Sequence, residues 1–306
     1  MKKALIFTLK LVLTGVVVYY VARQIWGNWD QVKQFDWQFD ILYLALSLVC
    51  AMVALVVFST AWVKVISAFG HLVSQPVGYR ILNLSNLGRY IPGKVWQVFG
   101  MLYLAKQKNI PEEQAAASFV ITELFTIPAS LLVWVIAVQF EPALLIDRFK
   151  IMGPGSAYAA GILGLLGCAV LIFYPQPFVN FANFVLKKLG RPIATFTLDK
   201  SVALQAFVGY FLGWILFGLA FWLFLLSVLG DSAPSLVLSV GLYNVAYQIG
   251  YLAIFAPSGL GPRELIMGVL LQPLVGPIAP VLAVIARLWS IVIDVSAALA
   301  ALSIRK

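Results

Sequence analysis

SNLGRYIPGKVWQ, Ser85 to Gln97, is the stretch on which the reading of the whole chain turns. It carries two cations, Arg89 and Lys94. It also carries Gly88, Pro92 and Gly93, and both of its flanks, ILNLSNL and VWQVFGMLYLA, are apolar. Charges and helix breakers are costly in hydrocarbon. The stretch is therefore either a loop in water that follows the positive-inside rule or polar equipment set within a bilayer. The apolar flanks favour the second, because a solvated loop has no need of them.

The rest of the chain supplies the bilayer. Of 306 residues, 62% are hydrophobic and 11% charged, with a mean hydropathy of +0.96. A soluble domain of this length needs a charged surface that this composition cannot provide. The net charge of +9 reads as basic loops on one side of a membrane rather than as a nucleic-acid surface. Cys50 and Cys168 lie in apolar runs and behave as small hydrophobes rather than a disulfide framework. His71 is the single histidine, with no orienting group near it in sequence, so hydrolytic triads are disfavoured. No cofactor or metal is expected.

Apolar runs of about 20 residues mark spanning helices at 4–22, 41–67, 114–140, 156–174, 202–229, 235–255 and 278–303. The first is read as a retained helix rather than a signal peptide, since no small-x-small cleavage site follows. Two further regions, 78–106 and 256–275, are interrupted by Gly and Pro, and their helices, ending by Lys106 and at Pro273, are too short to cross. The expectation is one all-α polytopic membrane domain over 1–306, with seven or eight crossings and two re-entrant or broken regions. Basic residues gather in 68–113 and 175–201, while 23–40 holds Asp30, Asp36 and Asp40. The positive-inside rule then places the N-terminus, 68–113 and 175–201 in the cytoplasm of a bacterial-type plasma membrane. Trp26, Trp29 and Trp37 fit an outer aromatic belt. The same alternation puts Arg305 and Lys306 outside unless 256–275 is itself a crossing. Within 175–201, Phe178, Phe181, Val185 and Leu189 share a helical face between Pro177 and Gly190, as in an interfacial amphipathic helix. An extension of a neighbouring span is the alternative.

The two interruptions resemble each other. GYRILNLSNLGRYIPGK from Gly78 and GYLAIFAPSGLGPRE from Gly250 both open with Gly-Tyr and reach Ser-x-Leu-Gly, at Ser85 and Ser258. An arginine, a proline and a short helix follow in each, which suggests an internal repeat, and paired breaks point to a transporter's binding site. Helices starting at Pro92 and Pro262 present free N–H groups and a positive dipole end to an anion. Arg89, Lys94 and Arg263 supply charge suited to phosphate. Asn86 and Ser258 stand beside them, and Glu264 can cap the second helix. Gly88, Pro92, Gly93, Gly259, Gly261 and Pro262 form the structural part of the motifs. The match of GRYIPGKV to a P-loop fails at Val95, where a magnesium-holding hydroxyl is required. Glu123 lies inside a span and is either a substrate or proton site or an ion-pair partner of Arg89 or Lys94. For Arg287 and Asp294, seven apart, a structural pair with each other or a neighbour is preferred. Lys64, near a helix end, can snorkel.

NLGRYIPGKVWQ and PSGLGPRE, on an apolar chain of this length, resemble the transmembrane domain of lysylphosphatidylglycerol synthases, the flippase domain of the multiple peptide resistance factor. That family also has stand-alone members. The resemblance implies a lipid-translocating fold acting on aminoacyl-phospholipids, glycolipids or polyprenyl-phosphate carriers. No soluble tRNA-dependent domain follows the last helix here, so synthase activity is not expected. The leading expectation is a flippase or scramblase, not an enzyme, whose partner is a membrane phospholipid or polyprenyl-phosphate lipid. A homo-oligomer or a lipid-modifying enzyme are possible protein partners. The alternatives are a membrane-embedded glycosyl- or phospho-transferase, against which the lack of a D-x-D or D-D pattern weighs, and a non-transporting partner protein.

Overall fold

A computed structural model describes residues 15, 19–91, 95–140, 154–188, 190, 197–253 and 256–304, and all regular structure among them is helical. Residues 19–27 are helical and lead into α1, Trp29–Gln34. There follow α2, Ile41–Ser67; α3, Gln75–Asn86; α4, Val95–Lys106; and α5, Glu112–Phe140. Then come α6, Pro154–Phe173; α7, Gln176–Lys188; α8, Lys200–Leu229; α9, Leu236–Leu252; α10, Pro262–Val275; and α11, Ala279–Ser303. Most of the expected span at 4–22, and Arg305 with Lys306, lie outside the described residues.

Among those residues four runs are long and apolar enough to cross a membrane: Ile41–Ser67, Glu112–Phe140, Lys200–Ser232 and Pro262–Ser303. The last contains α10, the turn Gly276–Ile278 and α11. Local chemistry sets the ends. The Asp40 carboxylate accepts from the amides of Leu42 at 2.8 Å and Tyr43 at 3.1 Å, so α2 starts there. Gly230, at φ 53°, closes α8. By contrast α3 and α4 have 12 residues each, about 18 Å of rise against a hydrocarbon core of about 30 Å. One expectation needs correction at α10, which does not stop at Pro273. It continues to Val275 with Pro273 inside, a ring tolerated in the last turn, and Gly276 at φ 67° ends it.

The bundle is assembled around α2 and α8, which run antiparallel along their length. The Asp40 amide donates to the Ser227 carbonyl at 2.8 Å at one end. Further along, Gly213 faces the Phe58 ring and Gly209 the Ala61 methyl, where an added Cβ would come within 2.5 and 2.9 Å. This is close approach through a G-x-x-x-G seam. Small polar groups point inward, as a bundle without aqueous surroundings requires. Trp289 Nε1 donates to Ser47 at 2.7 Å and Ser130 to Asn244 at 2.8 Å, both across helices. Leu46, Val49, Val53, Leu288, Val292 and Leu299 face outward.

The order long helix, short helix, break, short helix, long helix occurs twice, as α2 to α5 and as α8 to α11. The packing is reciprocal. α3 lies on α11 as α9 lies on α5, each short pair packs on itself, and the two breaks touch each other. Val77 and Ile81 of α3 share a cleft with Leu104 and Gln107 beside the end of α4, so that pair is an antiparallel hairpin. It starts from the Ser67 end of the bundle, while α9 starts from the Asp40 end. The hairpins therefore come from opposite ends and meet at their breaks. Arg80 near the start of α3 donates to the Ile304 carbonyl, so α11 ends on the Ser67 side. The repeat holds for element order and not residue by residue. Gly78-Tyr79 lies early in α3, but Gly250-Tyr251 lies late in α9.

α7 is a helix of its own, separated from α6 at Tyr174 and Pro175, and Gly190 takes φ 68° after it. Phe178, Val179 and Ala182 pack against the bundle, Phe181 and Phe184 are exposed, and the Val185 side chain and Leu189 of the expected face lie outside what is described.

The second break depends on Gly259, whose φ is 71° and whose added Cβ would sit 2.6 Å from the Gly250 carbonyl oxygen. Gly276 has a similar φ and open space. Gly276→Ala should cost only backbone strain, about 1–2 kcal/mol. Gly259→Ala should cost clearly more, as the fall in thermal unfolding temperature in detergent would show. Equal falls would refute the close approach.

Candidate functional site

The first break begins as α3 passes into a 3-10 turn at Leu87–Tyr90. Gly88 lets this turn rest on the start of α4. A Cβ there would lie 2.6 Å from the Gln97 nitrogen and the Trp96 carbonyl carbon, which are backbone and cannot move aside. Gln97 Nε2 donates to Asn86 Oδ1 at 2.8 Å and ties the hairpin across the break. Pro92, Gly93 and Lys94 lie outside the described residues, and α4 is described from Val95.

The second break places three positive-φ residues close together, Ser258 at φ 49°, Gly259 at 71° and Gly261 at 93°. Pro262 opens α10, and the Gly261 amide donates to Glu264 Oε2 at 2.6 Å, the cap expected of this carboxylate. Gly250 lets α10 approach. Its absent Cβ would be 2.6 Å from the Arg263 Cβ. Glycines thus bring Arg263 flat against α9. Its guanidinium lies 5.2 Å from the Tyr243 ring centre and 4.9 Å from that of Tyr247, and donates to the Tyr243 hydroxyl at 3.1 Å.

α11 serves both breaks with one face. Asp294 pairs with Arg89 and accepts from the Tyr90 hydroxyl. Seven residues earlier, Arg287 donates to the Ser258 carbonyl at 2.9 Å and lies 3.5 Å from Glu264. The sequence reading paired Arg287 with Asp294 or a neighbour. The structure gives each a partner on a different break. Arg89 also donates to the Tyr247 hydroxyl at 2.8 Å.

Between the breaks lies a cavity of about 130 Å³, lined among others by Asn86, Arg89, Glu123, Tyr247, Arg263 and Asp294. A second, of about 140 Å³, adjoins it and shares Arg89, Gln97, Tyr251 and Arg263, with Ser258 on its wall. Arg89, Arg263, Glu123, Asn86 and Ser258 therefore converge as expected. Glu264 does not line this space, because capping Gly261 and facing Arg287 turn it away. Glu123 does not pair with Arg89, which Asp294 holds. Its carboxylate is hydrogen-bonded with Tyr251. His71, read as unpartnered, pairs with Gln114 outside the cavity.

The sequence reading passed over Tyr243, Tyr247 and Tyr251. Their spacing of four, in YNVAYQIGY, marks one helical face and was the available signal. Electrostatically they matter because Arg263 is 7% exposed and has no carboxylate within 4 Å among the described residues. Aromatic faces and a hydroxyl hold its position but do not cancel its charge. The arrangement is equipped to hold an anion beside apolar and aromatic walls.

The model of the family described as "Lysylphosphatidylglycerol synthase TM region" matches residues 7–297, and the chain belongs to that family. It is an integral membrane protein with a lipid-related role. No curated protein matches it.

Removing Glu264 takes away both a helix cap and the carboxylate facing buried Arg287. Glu264→Ala should lower unfolding stability by about 3 kcal/mol or more. Glu264→Gln keeps the acceptor for Gly261 and should lose less. Thermal unfolding of the purified protein distinguishes this from a surface glutamate, for which neither change matters.

Proposed function

We propose that this member of the lysylphosphatidylglycerol synthase TM region family is a lipid flippase or scramblase. In this reading it moves a phosphate-bearing lipid between leaflets, with the phosphate in the cavity and the acyl or prenyl chains left in the bilayer. It acts as a carrier rather than an enzyme. The observation that carries the proposal is Arg263, a buried guanidinium facing a cavity with no carboxylate within 4 Å among the described residues. An uncompensated charge in so apolar a setting costs several kcal/mol. A phosphate ligand offsets that cost and supplies oxygens that match the guanidinium fork.

The topology of the proposal follows from the paired hairpins. Each short helix pair enters and leaves on the same face and meets the other pair at mid-membrane. α2, α5, α6, α8 and α11 cross, as does the span expected from sequence at 4–22, so the two interruptions are re-entrant. Counting 235–255 as part of a hairpin removes one crossing from the sequence count. It returns basic Arg305 and Lys306 to the side of Arg80, Lys106 and Lys108. That side faces the cytoplasm of the plasma membrane by the positive-inside rule, as does the N-terminus.

Two measurements test this. In proteoliposomes carrying fluorescent phospholipid, dithionite quenching should report protein-dependent leaflet exchange. Arg263→Ala should slow it roughly thirtyfold, the equivalent of about 2 kcal/mol for a charged hydrogen-bonded contact, and Arg263→Lys less. Folded protein that exchanges no lipid, or exchange indifferent to Arg263, would sink the carrier reading. For topology, single cysteines replacing Lys108 and Ser303 should be labelled from the cytoplasmic face, and one replacing Asp231 from the opposite face. Labelling of the first two from opposite faces would exclude the paired re-entrant arrangement.

A further inference from the structure

Asp294 has a consequence for ligand choice. Its carboxylate is 5% exposed and lines the cavity, yet it is already spent on Arg89 and Tyr90. It stands where an anionic ligand's oxygen would stand if Arg89 were free. Arg287 and Glu264 form a second, balanced pair beside the break. Glu123 forms no ion pair with either arginine, and its hydrogen bond is with Tyr251. Among the described residues of the cavity, one guanidinium, that of Arg263, is therefore left without a carboxylate within 4 Å. Among the described residues, two arginines line the space and one of their two positive charges is left unmet.

We infer that Asp294 is a specificity-determining residue that restricts the cavity to singly charged phosphodiester headgroups and disfavours phosphomonoesters. The inference rests on the carrier reading for the identity of the site, and goes further by selecting among phosphate lipids by charge. A phosphodiester carries one negative charge at neutral pH and a phosphomonoester about 1.5 to 2. The second charge of a monoester would have to displace Asp294 from Arg89, or sit unpaired in a low-dielectric space. Tyr90 contributes a hydrogen bond to Asp294 but no charge. It positions the carboxylate and does not change the count.

The test uses two lipids that differ by one methyl and about one charge, phosphatidylmethanol and phosphatidic acid, with identical acyl chains. Preference is read in two ways on the full chain, as leaflet exchange in proteoliposomes and as lipid retained in native mass spectra. Wild type should favour phosphatidylmethanol about tenfold. Asp294→Asn, which keeps acceptors for Arg89 and Tyr90, should bring the ratio to one or reverse it. Tyr90→Phe, which removes a hydrogen bond to the carboxylate but not its charge, should move the ratio less than Asp294→Asn does. Equal handling of the two lipids by wild type overturns the inference without any variant having to fold, and so does an unchanged ratio in folded Asp294→Asn. Retention with the expected preference but no exchange supports the inference and overturns the carrier reading. Exchange without preference does the reverse. Neither exchange nor retention overturns both.

Discussion

The structure depends on charge placed where water is scarce. Two breaks in an apolar bundle leave carbonyls and amides without helical partners and bring arginines with them. Each such group costs several kcal/mol unless it is answered locally. α11 answers several of them. Asp294 meets the first break through Arg89 and Tyr90, and Arg287 meets the second through the Ser258 carbonyl and Glu264. One helix face with two charges seven residues apart joins elements far apart in sequence, Arg89 to Ser258 and Glu264.

Close backbone approach makes that joining possible. Gly88 seats the first turn on α4, and Gly250 with Gly259 seats the second break on α9. Each lacks a side chain at the point where a Cβ would strike backbone or, at Gly250, the Arg263 Cβ. The same economy appears in the main helix pair, where Gly209 and Gly213 bring α8 onto α2. In hydrocarbon no hydrophobic force drives helices together, so shape at such seams and hydrogen bonds such as Trp289 to Ser47 carry the packing. The cavity is what remains between two hairpins whose breaks touch and whose helices are too short to fill the bundle.

The balance of the site is then a matter of which charges are already met. Arg89 and Arg263 look equivalent in sequence, each an arginine close after a glycine in a broken segment. In the fold they differ, because Asp294 reaches only the first. Arg263 is held by tyrosine faces and a hydroxyl, which orient a guanidinium without neutralising it. This asymmetry leaves Arg263, among the described residues that line the cavity, as the cation without a carboxylate partner.

The sequence by itself determined the membrane class, the long helices and the two interruptions, because apolar run length and Gly-Pro punctuation are local properties. It also marked Arg89, Arg263, Glu123, Asn86 and Ser258, since buried charges and breaks stand out against an apolar background. The family resemblance carried by NLGRYIPGKVWQ and PSGLGPRE was legible as well, and the match over residues 7–297 bears it out. Only the tertiary structure decided which charges pair, because Asp294 and Arg89 are 205 residues apart and no local rule connects them. It also decided that Glu264 turns away from the cavity, that three tyrosines turn toward it, and that the hairpins meet from opposite ends of the bundle. Those outcomes depend on how helices pack across the chain, and helical spacing alone reports only which residues share a face, not what that face meets.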